Sequence, residues 1–293
     1  MSGQPKMPLR GMMEDPEGAS GSRAFTVEEV RVGAKRELFR AGPRMRFLMP
    51  RISVRVTTWI LNHAPTVTPN QVTSVSALLG IGAAALLIVP RGLLPPLAAF
   101  FVYQLHILAD YVDGELARVK NLASIRGAYY DLMVGRVTKP IVLYAATIGT
   151  WLSHRNARGA ALDLILGALI VAGFLLDKEA VDVWYRTNAG RGELEDPYVV
   201  RSEWAVRGVR RVATRILVGL RSIPAFLVYQ IIAALAITAG FRTVSFFSAY
   251  DATPRSLILI LFAVSYPTLA LSRSIFIART GHIPRRQDLV RDG

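Results

Sequence analysis

The sequence predicts an all-α integral membrane protein in which six transmembrane helices follow N-terminal amphipathic juxtamembrane helices. Three observations carry that expectation. Hydrophobic residues make up 52% of the 293 and the mean hydropathy is positive, a balance unlike that of a soluble globule. Six stretches approach the length of about 20 apolar helical residues that a hydrocarbon core demands. The net charge of +14 is carried mostly by the connections and ends, where basic residues face anionic lipid and fix orientation.

Taken in order, residues 1–22 are rich in Gly, Ser, Pro and acids and are expected to form a disordered tail. No cleavable signal is expected, because the first long apolar run begins only near Val72. Residues 23–71 mix apolar and basic side chains and read as a cytoplasmic amphipathic arm, with Pro43 and Pro50 as breaks. The spans fall over 72–89, 94–117, 127–152, 160–176, 216–241 and 256–278, giving a membrane domain over 72–278 and a cytoplasmic tail over 279–293. The connection over 177–215 sets Trp184, Tyr185 and Trp204 among charges and is expected to lie at headgroup level. Six spans put both ends on one side. That side carries 26 of the Lys and Arg residues, against five (Arg91, Arg155, Arg158, Arg242 and Arg255) on the other. The positive-inside bias therefore predicts a multi-pass protein of the cell membrane with both termini cytoplasmic.

The chain has no cysteine, which excludes disulfides, thiolate metal sites and thiol nucleophiles. A basic chain also suits nucleic acid, yet basic residues beside long apolar runs are better explained by lipid, and no nucleic-acid partner is expected.

Charge inside the spans needs a separate explanation. The second span ends on Asp110, Asp113, Glu115 and Arg118, the third begins near Asp131, and Arg221 and Arg273 fall at the same depth in the fifth and sixth. Long basic side chains can snorkel to the interface. An Asp side chain is too short for that, and each costs about 2.5–3.5 kcal/mol at the centre of a span, so three together call for a cation or a polar cavity. Asp110 and Asp113 are three residues apart on one helix face, which Ala117 continues. Small residues at Gly114, Ala117 and Gly127 let a neighbouring backbone or a substrate approach. Oxygen ligands with no nearby sulfur or imidazole suit Mg²⁺ or Mn²⁺.

These residues resemble the signature of the CDP-alcohol phosphotransferases, D-x2-D-G-x2-A-R-x8-G-x3-D-x3-D. Asp110, Asp113, Gly114, Ala117, Arg118, Gly127 and Asp131 fill seven of its eight positions at the family's spacing. The stretch TPNQVTS over 68–74 is similar to the family's entry into its first membrane helix, with Pro69 and Asn70 in the first turn and Thr68 or Asn70 as the cap. The resemblance implies a metal-dependent transferase of phospholipid or related phosphodiester synthesis. It would move a substituted phosphate from a CDP-linked alcohol, such as CDP-diacylglycerol, to an acceptor hydroxyl and release CMP. It assigns Asp110, Asp113 and Asp131 to a pair of divalent ions, and Gly114, Ala117, Arg118 and Gly127 to the nucleotide. Arg126, Arg136, Lys139 and Arg221 are candidates for an acceptor phosphate, as on a sugar or polyol phosphate. Membrane lipids and a second copy of the chain are further partners expected.

The eighth position departs from the pattern. Where the family has its last Asp, which holds metal and is the proposed general base, this sequence has Gly135. No catalytic residue is therefore assigned. Two readings stay open beside each other: an active transferase that manages without that carboxylate, and a degenerate member that binds a CDP-linked or lipid ligand without turning it over. A transporter built on the same polar spans is a third, less favoured for want of broken helices and paired repeats.

Overall fold

The computed structural model describes residues 24–34, 45–188, 222–241, 244–246 and 250–280. Among them are eight helices: α1 (Val27–Gly33), α2 (Met45–His63), α3 (Pro69–Ile88), α4 (Leu94–Val119), α5 (Ile125–His154), α6 (Leu162–Asn188), α7 (Ile223–Thr238) and α8 (Pro254–Thr280). A two-stranded antiparallel hairpin, β1 (Val244–Phe246) and β2 (Tyr250–Ala252), precedes α8 with Val244 opposite Ala252. The expected tail over 1–22, part of the amphipathic arm, most of the 177–215 connection and residues 281–293 lie outside the described residues.

Helices α3 to α8 follow the six apolar stretches with departures at α6 and α7, and α2 departs from the expected arm at Pro50. Helix α6 runs on to Asn188, twelve residues past the expected end of the fourth span, so part of the expected connection is helical. Helix α7 stops at Thr238, where Gly240 takes a left-handed φ of 94° and the amides of Gly240 and Phe241 turn back to the carbonyls of Ile237 and Ala236. Pro50, expected as a break, instead lies inside α2, whose helix continues through it to His63; it removes one backbone donor there. By length and composition, α3 is the helix among the described residues long and apolar enough to cross a membrane. Polar residues such as Gln104, His106 and Asp110 dilute α4, and α7 is apolar but only 16 residues long.

The chain divides into two compact units. The first comprises Met1–Ser76 and Ile107–Leu132 and so contains α1, α2, the start of α3, the end of α4 and the start of α5. Thr26 opens α1 with a capping box, its backbone amide donating to Glu29 Oε2 at 2.8 Å while its hydroxyl accepts from the Glu29 amide at 3.3 Å. Asn62 then pairs in both directions with the backbone of Phe25. The core joins Val30 and Ala34 to Val54 and Leu61 of α2, Val72 of α3, and Val112, Leu116 and Val119 of α4. On the far side of α2, Arg51, Arg55, Trp59 and His63 are exposed, with the Trp59 and His63 rings stacked 5.2 Å apart. Helix α2 thus has one buried face and one basic-aromatic face.

The second unit comprises Ala77–His106 and Met133–Gly293. Helix α8 packs along α6 and against α7. Close approach of α6 and α8 depends on Gly173, where an added Cβ would lie 2.6 Å from the Pro267 nitrogen. Aromatic rings fill the same unit: Phe226 meets Phe262 edge-on at 4.9 Å, and Phe174 meets Tyr266 at 5.9 Å. At the start of α8, the Arg255 guanidinium donates to the carbonyls of Pro90 and Gly92.

Two residues past the expected end of the third span, His154 Nε2 stands 2.9 Å from Asp163 Oδ2, both side chains being buried. Nδ1 faces the Thr150 carbonyl at 2.8 Å, and with a carboxylate at ion-pair distance from Nε2 the charged imidazolium is favoured. The Asp163 carboxylate raises the His154 pKa above its ordinary value, against the opposing effect of burial. This contribution to stability is fully present below an unfolded pKa of about 6.5 and is lost as pH rises through the higher folded value. Asp163→Asn should remove that pH dependence and cost about 3–5 kcal/mol at low pH, as expected for breaking a buried pair. Thermal melts of detergent-purified protein across this range check it; a wild-type midpoint unchanged from about pH 6 to 9 counts against the pair.

Candidate functional site

The last two turns of α4 place Asp110, Asp113, Gly114 and Ala117 on one face, with Arg118 at its edge. Helix α4 ends in a Schellman turn: Asn121 adopts a left-handed φ of 54°, its amide donates to the Arg118 carbonyl, and the Leu122 amide donates to the Ala117 carbonyl. Lys120 Nζ donates to the carbonyls of Pro65 and Val67, each at 2.6 Å, fixing the loop that leads into α3. That loop ends on Thr68, which takes the cap of α3: its amide donates to Gln71 Oε1 and its hydroxyl accepts from the Gln71 amide. Pro69 follows at the first helical position, as expected.

Asp113 is the best-defined member of the site. It is 3% exposed, and its Oδ2 accepts from the Thr73 hydroxyl at 2.6 Å. Its Oδ1 is buried with no hydrogen-bond partner among the described residues. Asp131 and Asp110 both act on it by charge repulsion, which brings all three expected metal-binding carboxylates into one electrostatic neighbourhood. An unpartnered carboxylate oxygen beside two further carboxylates is costly unless a cation joins them. Among the described residues, no group of three or more Asp, Glu or His stands close enough together to hold a metal ion.

The nucleotide-assigned residues come together in part. Both terminal nitrogens of Arg118 lie 3.4 Å from where a Cβ on Gly114 would stand. The guanidinium thus covers the glycine, and its buried Nε has no acceptor among the described residues. Gly127 sits in the first turn of α5, its amide donating to the capping Ser124 hydroxyl at 3.1 Å. An added Cβ there would stand 3.4 Å from Asn70 Oδ1, which ties the two sequence motifs to each other. Ser74 and Tyr130 join the same helices through their hydroxyls at 3.1 Å.

Glu115 departs from the expected cluster of charges. It turns to the opposite side of α4, fully buried, and accepts from Ser53 Oγ at 2.6 Å and Thr57 Oγ1 at 2.7 Å. Five residues on from Asp110 it is rotated well off the Asp110–Asp113 face. Thr73, Ser53 and Thr57 were not singled out by the sequence, since pairing across helices depends on their relative rotation and spacing along one chain does not reveal it. Of the basic candidates, Arg126 is exposed, Arg136 and Lys139 are half-buried, and Arg221 and the Arg273 side chain lie outside the described residues. Gly135 is buried in α5, with Lys139 Nζ 3.3 Å from where its Cβ would be.

The sequence profile of the CDP-alcohol phosphatidyltransferases matches residues 66–278. The chain belongs to that family. The match takes in both motifs and every described helix from α3 onward except the last two residues of α8. Among curated relatives, the chain is 42% identical over 91 residues to the "Bifunctional IPC transferase and DIPP synthase" of Thermococcus kodakarensis. That alignment covers 31% of this chain and 19% of the relative. The family is one of transferases that use a CDP-alcohol donor and an alcohol acceptor, and it is membrane-embedded.

Proposed function

We propose that the protein is a multi-pass membrane transferase that moves a substituted phosphate from a CDP-linked alcohol, CDP-diacylglycerol or a similar donor, to an acceptor hydroxyl, releasing CMP. The observation that carries this reading is the buried, unpartnered Oδ1 of Asp113 under the charge of Asp110 and Asp131, in a chain with the family's motif. These carboxylates would hold Mg²⁺ or Mn²⁺. When bound, such an ion neutralises a pyrophosphate and stabilises charge on departing CMP. Arg118, whose guanidinium lies over Gly114, offers its Nε and terminal nitrogens as donors to a nucleotide at the α4 face. Gly127, at the start of α5, is proposed to lie beside the same nucleotide. Arg126, Arg136 and Lys139, spread along α5, together with Arg221, supply positive charge for an acceptor that carries its own phosphate.

Gly135 favours a second reading, a family member that binds the donor without turning it over, because no carboxylate stands there to take a proton from an acceptor hydroxyl. Purified protein in proteoliposomes, given radiolabelled CDP-diacylglycerol and a panel of alcohol and polyol phosphate acceptors, separates the two. Magnesium-dependent CMP release supports the transferase. Donor binding with no CMP from any acceptor supports the binder, and absence of both binding and release overturns both readings.

The six helices from α3 to α8 are proposed to cross the cell membrane with both termini in the cytoplasm, on the strength of the split in basic residues. The cysteine-free chain lends itself to single-cysteine labelling. A cysteine at Arg155 should react with an impermeant maleimide from outside the cell, and one at Asp292 should react only after permeabilisation. Labelling of both from the same side would sink the topology.

A further inference from the structure

Helix α2 carries a second pattern besides the face that joins the core. Arg51, Arg55, Trp59 and His63 recur every four residues and all are exposed, so they form one stripe along the helix. Trp59 is 59% exposed, its ring stacked on that of His63, and no Asp or Glu lies anywhere in α2 to balance the arginines. Two guanidinium groups followed by a large amphipathic ring suit the headgroup level of an anionic bilayer, where arginine meets phosphate and indole sits at the boundary with the acyl chains. The chain itself keeps α2 near such a surface. Residues 64–68 alone separate it from α3, which is long and apolar enough to cross a membrane, and a link of that length reaches at most about 20 Å.

On its opposite face α2 is joined to the α4 turn that carries the site. Ser53 and Thr57 donate to the two carboxylate oxygens of Glu115 at 2.6 and 2.7 Å, and Glu115 follows two residues after Asp113 in α4. Just past the end of α4, Lys120 holds the link between α2 and α3 through the carbonyls of Pro65 and Val67. All these residues belong to the first compact unit. We infer that the stripe from Arg51 to His63 docks on anionic lipid headgroups, and that the Glu115 contacts carry this docking to the turn bearing Asp113, so that lipid charge steadies the site. The second half rests on the reading of Asp113 as a site residue. Burial makes the coupling stiff, because α2 cannot lift without taking these two donors away from an enclosed carboxylate.

Amide hydrogen exchange on the full-length chain in nanodiscs tests this, with no metal or CDP-linked compound present. The probe is the bilayer: phosphatidylcholine alone, against the same lipid mixed with phosphatidylglycerol. Anionic lipid should slow exchange about tenfold in peptides from 51–63 and from 110–119, and raised salt should cancel the gain. Arg51→Gln with Arg55→Gln should exchange alike in both discs. Ser53→Ala with Thr57→Val should keep the lipid response in α2, which shows that the variant is folded, and lose it at 110–119. Glu115→Gln, which keeps the side chain's size but cannot accept from both hydroxyls, should weaken the response at 110–119. Equal wild-type exchange in both discs, which would leave the stripe to an acidic protein, overturns the docking. So does a lipid response that survives loss of both arginines. A response at 110–119 that survives the Ser53 and Thr57 substitutions overturns the coupling. None of these outcomes involves metal or turnover, so the transferase reading stands or falls separately, by CMP release.

Discussion

Asp113→Asn should reduce metal-dependent CMP release by on the order of 10³-fold or more, since a bound cation contributes several kcal/mol and each 1.4 kcal/mol is about tenfold. The substitution is nearly isosteric and keeps an acceptor for the Thr73 hydroxyl, so the fold should hold and the loss should be one of charge. Thr73→Val supplies the graded companion. It leaves the carboxylate in place and removes the hydroxyl that orients it from 2.6 Å; loss of such a supporting contact costs about 10- to 100-fold in metal affinity. Mn²⁺ titration alongside CMP release checks both. Wild-type Mn²⁺ affinity in Asp113→Asn removes Asp113 from the site, and equal losses in the two variants would mean that Thr73 matters through folding alone.

Gly135→Asp in a background of Lys139→Ala should raise turnover by about 10²- to 10⁴-fold where the acceptor is a hydroxyl whose deprotonation limits the rate, the range a positioned general base supplies. The single Gly135→Asp variant should gain far less. Its carboxylate would sit four residues before Lys139, the favourable order for a helical ion pair, and the ammonium already within 3.3 Å of the new Cβ would engage it. Where the acceptor is itself anionic, no base is needed and the added carboxylate should slow the reaction by repulsion. Comparing both variants on neutral and phosphorylated acceptors therefore reports acceptor class as well as mechanism. Silence from wild type and variants on every acceptor, with donor still bound, would favour the binding-only reading.

Helical content, the positions of the apolar helices and the spacing of Asp110, Asp113 and Asp131 were legible because they follow from periodicity along one chain. Thr68 as the cap of α3 was one of two choices that the stretch TPNQVTS left open, and the Gln71 side chain settles it by completing a capping box. Contacts between helices were not legible. Glu115 looked like another acid of the cluster until its side of α4 was seen to meet Ser53 and Thr57. The same limit hid Thr73 from Asp113, forty residues away. Lys139 is different: its approach to Gly135 was within reach of sequence reasoning, because a glycine one turn earlier on the same helix leaves a long side chain somewhere to fold. The hairpin before α8 was missed because three-residue strands are too short to show an alternating pattern.

Glu115 also bears on how this family can be cut and recombined. The profile match begins at residue 66, yet the hydroxyls that satisfy this buried carboxylate come from positions 53 and 57. A fragment trimmed to the matched region would lose both hydroxyl donors together with the α2 face that packs over this part of α4, leaving the acid and its apolar neighbours uncovered, a fault worth about several kcal/mol. The smallest inheritable piece is thus longer than the recognisable one. Grafting a foreign leader onto this core demands that a pair of hydroxyls four residues apart travel with it, or that the acid be exchanged for an apolar residue in the same step.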